Sequence, residues 1–321
     1  MHFPSTPAFG RRILKGFARS VRSPKFLTVA ALAGVVAFRA TPASANLVID
    51  ATFSSSITGL SNAAAVESTL NLAIANFESI YTSNVTVKIT FNSMSSGLGQ
   101  SSTDYTSETT AAYLAALTTH NSGDAIDTAA LLKLGTNPYL GSTIGLTTAN
   151  ARALGFSAST SNDGTIGLNT GICFTGHSTP VGGEYDLFGV ASHEIDEVLG
   201  TSSGVGGGFL DTDLFRYDGS GNRSFTSSTS VHAYLSVDGT TDIDEYNQFG
   251  RSNGDFGDWI IHNPPQVQDW AGTPGKIDNY GVGETDLLDA VGYNVAPAPE
   301  PASMALLGLG AAALLRRRFR K

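Results

Sequence analysis

A single cysteine, Cys173, stands in a chain of 321 residues. No internal disulfide can form, so the fold must rely on its core. Lysine and arginine are scarce and unevenly spread: of 19, seven lie in 1–45 and five in 316–321. Residues 46–298 hold seven basic against 27 acidic side chains, a net charge of −20. Such a surface repels nucleic acid and anionic polymers, which excludes a nucleic-acid partner, and it favours divalent cations. The two long apolar runs hold only 13 and 14 residues, short of the roughly 20 that span a bilayer comfortably. No internal repeat is visible, so a solenoid or propeller is excluded.

Both apolar runs sit in end segments that read as addresses. Arg11, Arg12, Lys15, Arg19, Arg22 and Lys25 precede the run Phe26–Phe38 with no acidic residue among them, and Ala43-Ser44-Ala45 offers a small-residue cleavage site. This predicts a secretory signal peptide over 1–45. At the other end Pro299-Glu300-Pro301 is followed by the apolar run 302–315 and the basic cluster 316–321. A short transmembrane segment with its basic end in the cytoplasm is expected there. This three-part tail resembles the PEP-CTERM sorting signal of Gram-negative bacteria. The resemblance implies recognition at Pro299-Glu300-Pro301 by an exosortase-type membrane transpeptidase, transient inner-membrane anchoring, and delivery to the cell surface or the medium.

The region 46–295 reads as one α/β (α+β) domain, joined to the tail by the linker Ala296–Pro299. Alternation predicts strands over 46–53 and 85–91, with an amphipathic helix after Ser61 carrying Val66, Leu70, Ile74 and Phe77 at helical spacing. Strand, helix, strand implies a parallel pair. The Ser/Gly-rich stretch 92–103 reads as a loop, 108–117 as a helix, 128–134 as a turn or helix, and 147–154 as a short helix ending at Gly155. A short strand over 163–169 and another over 231–237 follow; 238–285 carries no regular pattern, and Glu284–Tyr293 reads as a final helix.

The chemistry concentrates in Val190–Gly200. If that segment is helical, His193 and Glu197 lie four residues apart on one face with Glu194 beside them. Compared with the zinc-protease pattern H-E-x-x-H, the second histidine is replaced by Glu197. His193-Glu194-x-x-Glu197-x-x-Gly200 resembles the metzincin clan of zinc proteases. More widely, Ser192–Gly200, Asp213–Tyr217, Gly254–Trp259 and Leu288–Tyr293 are similar to an uncharacterised bacterial family of metalloprotease-like proteins that often bear PEP-CTERM tails. The likeness implies a twisted mixed sheet, an active-site helix over 188–200, and a substrate strand beside the cleft, for which 163–169 stands in the corresponding place. Two departures appear: Ser203 stands where the clan's third histidine falls, and no methionine lies between Met94 and Met304.

Zinc accepts carboxylate oxygen, so His193 and Glu197 are candidate ligands. Asp213 is the chosen third, because the glycine-rich run 203–208 could turn it back over the helix; His177 and His232 are alternatives. Glu194 is the expected general base and Tyr217 the expected oxyanion partner. Calcium is a second candidate cofactor, at Asp238–Glu245. Cys173 with His177 makes only half of a nucleophilic dyad. The expectation is an exported zinc-dependent endopeptidase acting on peptide or protein. The alternative is a catalytically inactive extracellular matrix protein, binding calcium or glycan on a protease scaffold. A plain structural reading of the motif is an amphipathic helix with Val190, Ile195, Val198 and Leu199 in the core and Glu194, Asp196 and Glu197 as a solvated acidic face.

Overall fold

The computed structural model describes residues 46–136, 141–158, 161–250 and 255–297. The expected signal peptide (1–45), the Pro299-Glu300-Pro301 motif, the apolar segment 302–315 and the basic tail 316–321 lie outside the described residues. Among the described residues no helix is long and apolar enough to cross a membrane.

The domain opens with β1 (Val48–Phe53), a short helix α1 (Ser55–Thr58) and α2 (Ala63–Ile80). Helix α2 forms where the apolar spacing predicts it and buries Val66, Leu70, Ala73, Ile74 and Phe77 along one stripe. Next come β2 (Thr86–Ser93), β3 (Gly99–Thr103) and β4 (Tyr105–Thr109). In β2, Val87, Ile89 and Phe91 point inward and alternate with Thr86 and Lys88 outside. Helices α3 (Thr110–His120) and α4 (Ala125–Thr136), β5 (Thr143–Thr147), α5 (Thr148–Ala153) and β6 (Gly164–Leu168) follow. The short strands β7 (Cys173–Phe174) and β8 (Tyr185–Asp186) lead into α6 (Leu187–Leu199). A 3₁₀ turn (Asp211–Phe215), the two-residue strands β9 (Arg216–Tyr217), β10 (Tyr234–Leu235) and β11 (Asp244–Glu245), and α7 (Val282–Ala290) complete the order.

The main sheet has the order β1-β2-β6-β3. Strands β1, β2 and β6 run parallel, as the strand–helix–strand pattern implies, and β3 is antiparallel to β6. Smaller sheets pair β4 with β5, β7 with β8, and β10 with both β9 and β11. The architecture is therefore mixed α/β of the α+β kind. Helices α2 and α6 pack on each other, and α6 lies against β3 and β6. Ile166 and Leu168 meet Ala191, Ile195 and Val198 in one buried core.

Three elements differ from what the sequence predicts. The stretch 92–103 is not a loop, because β2 reaches Ser93 and Gly99–Thr103 form the edge strand β3. Strand β6 is not the outer strand beside the cleft: it is paired on both sides, and β3 takes the edge. The strand expected over 231–237 shrinks to Tyr234–Leu235. Backbone hydrogen bonding to β6 decides the first two cases, and the sequence Gly-Gln-Ser-Ser-Thr of β3 has no apolar alternation to announce it.

Candidate metal centre

Helix α6 starts cleanly because the Asp186 carboxylate accepts the Phe188 N–H at 3.1 Å, and it stops at Gly200, whose φ of 143° is open to glycine. One face enters the core through Val190, Ile195, Val198 and Leu199. Glu194 and Asp196 are buried too, so the acidic residues do not form a solvated face. His193 and Glu197 look into a cleft of about 490 Å³. Its walls are Leu98 with Gly99–Ser101 of the edge strand, and the segment 266–272.

The His193 Nδ1 atom lies 2.9 Å from the Val267 carbonyl oxygen. A carbonyl only accepts, so Nδ1 carries a proton and donates it, and Nε2 is the nitrogen that faces the cleft and offers its lone pair once a cation displaces the second proton. Nε2 stands 3.7 Å from Glu197 Oε1 and 3.5 Å from Asp258 Oδ1. The Glu197 carboxylate is held from the other side by the Ser101 hydroxyl of β3, which donates to its Oε2. Asp258 Oδ1 is buried and receives no hydrogen bond. Ligand atoms of His193, Glu197 and Asp258 all lie within 4.8 Å of one another.

Asp258 reaches this position through tight backbone packing. Gly257 presses on the exit of α6, where a Cβ would stand 2.9 Å from the Thr201 carbonyl oxygen and 3.0 Å from the Ser203 nitrogen. The buried Arg216 guanidinium donates to the Phe256 carbonyl oxygen at 2.5 Å and to Gln248. On the other side Trp259, fully buried, bridges to Tyr246 and Asp269.

Charge crowding shapes the site. Burial would lower the His193 imidazolium, but the Asp258, Glu194 and Glu197 charges outweigh it and raise it to about 10. Burial pushes Glu194 up to about 8, with the attraction of His193 opposed by the Glu197 charge. Asp258 rises to about 7, chiefly by burial. Without a counter-cation, Glu194, Asp258 and the imidazole hold protons that a metal would displace.

The structure does not bring Asp213 to this group. Its Oδ1 accepts from the Ser203 hydroxyl at 2.6 Å, and its Oδ2 accepts from the N–H groups of Gly204 and Leu210 at 3.0 and 2.9 Å. The glycine-rich reversal does fold back, but it closes on Asp213 instead of presenting it. Tyr217 is likewise away from the cleft: it is fully buried in β9, with the Arg223 and Lys133 cations near its ring. His177 is tied to Asp186 at 2.7 Å and stacks on Phe188, while His232 pairs with Glu245 and stacks on Phe249. Cys173 is buried, and burial followed by the Asp186 charge pushes its thiol up to about 12, which removes it as a nucleophile. In the run 238–245, Asp238 accepts from the N–H groups of Thr240 and Thr241 and from the Thr241 hydroxyl, Asp244 pairs with His262, and Glu245 pairs with His232. These carboxylates do not converge on a common point.

Residues 297–321 match the PEP-CTERM protein-sorting motif. That motif is recognised by exosortase, a membrane processing enzyme, and implies export by membrane-associated sorting in Gram-negative bacteria. No curated protein and no solved structure matches the chain.

Proposed function

We propose that the domain is a metal-dependent hydrolase, an endopeptidase that acts after export. One observation carries this reading: His193 Nε2, Glu197 Oε1 and Asp258 Oδ1 converge on one wall of a cleft, with the Glu194 carboxylate beside them. The side chains suit a divalent cation. Asp258 Oδ1 is a buried acceptor without a donor, and the Val267 carbonyl selects the His193 tautomer that offers Nε2. One imidazole nitrogen and two carboxylate oxygens form a set that zinc accepts. When bound, such a cation supplies Lewis-acid polarisation of a carbonyl and acidifies water.

The chain's own groups supply the rest. Glu194 takes the proton of the attacking water and returns it to the leaving amine nitrogen. Its value of about 8 belongs to the cation-free site, and a positive neighbour lowers it toward neutrality. Strand β3, with its outer edge unpaired among the described strands, offers main-chain partners to an extended peptide lying along the cleft. This arrangement supports the metzincin-like reading of His193-Glu194-x-x-Glu197-x-x-Gly200. The test is metal content together with casein and peptide cleavage for the wild type and Glu194→Ala. Expected are about one zinc per chain in both proteins and chelator-sensitive cleavage in the wild type only. Metal-free protein with equal cleavage in both would overturn the reading, and metal-free protein without cleavage favours a silent matrix protein.

A further inference from the structure

A second group of ligand-competent side chains lies outside the cleft, between α4 and α7. Asp124 precedes α4, Asp127 lies in its first turn and Asp289 in the last turn of α7; ligand oxygens of all three fall within 4.8 Å of one another. Asp286, one turn before Asp289 on the same helix, adds a fourth carboxyl nearby. Among the described residues, no lysine, arginine or histidine forms an ion pair with Asp124, Asp127 or Asp289.

Acidic neighbours alone do not make a site. Asp289 is the independent observation: it is only 3% exposed, and its Oδ1 is buried with no hydrogen-bond donor. Asp124 and Asp127 differ in this, because local groups hold them. The Ser122 hydroxyl and the Asp127 N–H donate to Asp124, and the Ser122 N–H donates to Asp127 at 2.6 Å. Those contacts fix two carboxylates in place while Asp289 comes within hydrogen-bond reach of Asp124 from the opposite helix, its Oδ1 receiving no donor. A buried carboxylate facing two others is costly unless a cation or a proton stands between them.

We propose that Asp124, Asp127 and Asp289 hold a calcium ion that joins α4 to α7. The donors are all hard oxygens and no nitrogen or sulfur is present, which selects calcium over zinc; waters complete its six to eight ligands. The joint has a structural use. Helix α7 carries Glu284, whose carboxylate accepts from the Gln268 and Gly281 N–H groups, and Gly283, which packs on Trp259. Fastening α7 therefore steadies the segment 258–269 that delivers Asp258 and the Val267 carbonyl.

The experiment is calorimetric titration of calcium chloride alone into the EDTA-stripped full chain. It is carried out in a His193→Ala or Glu197→Gln background, so that the cleft does not contribute. One calcium per chain is expected, with thermal unfolding shifted upward; calcium at about 100 times its Kd lowers the unfolding constant about 100-fold. Asp289→Asn and Asp124→Asn should each weaken binding at least about tenfold, as loss of a charged ligand requires. If Asp289→Asn does not fold, Asp124→Asn decides, since its side chain is only half-buried. No calcium binding in the parent, unchanged binding in either variant, or magnesium binding as tightly as calcium would each overturn the proposal.

Discussion

Asp213 and Asp258 are both buried aspartates, one in the 3₁₀ turn after the glycine-rich run 203–208 and one beside Gly257, and they differ in what their oxygens already do. Asp213 accepts three hydrogen bonds and so closes its own loop. Asp258 keeps Oδ1 without a donor beside His193. Asp258→Asn should therefore cost the protein more than about 100-fold in zinc affinity, because even changes behind the first ligands cost about 10–100-fold. Asp213→Asn should leave zinc affinity unchanged and lower stability by about 1–3 kcal/mol, the cost of buried donors left without their acceptor. Zinc titration and chemical denaturation of the two variants separate these outcomes; loss of zinc binding in Asp213→Asn would reverse the assignment. The spacing of His193, Glu194 and Glu197 was legible because a helix sets it within two turns. Asp258 was not: it arrives on a remote loop, and its only local mark is the Gly257-Asp258-Trp259 run within a segment noted for family likeness.

At the scale of elements, the site depends on how closely β3 approaches α6. Gly99 makes that approach feasible, since a Cβ there would stand 2.2 Å from Glu194 Oε1 and 2.8 Å from Val190 Cγ1. Two residues on, Ser101 donates to Glu197. Gly99→Ala must push the strand from the helix or turn the Glu194 carboxylate away. Peptide hydrolysis should fall about 100-fold, in line with an ångström-scale displacement of a reacting group, while zinc content stays near the wild-type level. Wild-type turnover in this variant would show that β3 does not set the position of Glu194. Helices α2 and α6 were readable from apolar periodicity. Strand β3 was not, because Gly-Gln-Ser-Ser-Thr has no inward apolar residue and forms only through the ladder that β6 offers it.

At the scale of the whole molecule, buried carboxyls govern the response to pH. Burial comes first among the causes that raise Asp258, Asp278 and Glu284 to about 7 and Asp289 to about 9. In the unfolded chain such groups ionise near 4, so the stability each contributes is complete only below that value and is lost as pH rises through the folded one. His193 acts in the same direction: its folded value of about 10 exceeds the unfolded value of about 6.5, so its contribution is present below about 6.5 and lost as pH rises through the folded value. Asp163 works the other way: burial is outweighed by Arg152 and the Lys88 N–H, so its contribution is lost only as the solution becomes more acidic than this window. Cation-free protein should therefore melt at lower temperature as pH rises from about 5 to about 9, and added divalent cation should flatten that slope and release protons at neutral pH. Thermal scans in EDTA and in metal, with calorimetry in two buffers, measure both effects. A melting temperature that climbs with pH in EDTA would contradict the account.

The sequence by itself determined what short range and bulk charge can settle. The sorting tail is read in consecutive residues, the anionic domain surface follows from composition, and the α2 and α6 faces follow from helical period. The parallel β1–β2 pair belongs with these, since a strand, helix and strand in succession admit little else. Only the tertiary structure decided which strand borders the cleft, which aspartate meets His193, and that Asp289 faces Asp124 and Asp127 across two helices. Those outcomes depend on backbone pairing and loop closure between residues far apart in the chain. No local pattern records such contacts, because a buried carboxylate with a donor and one without are spelled with the same residue.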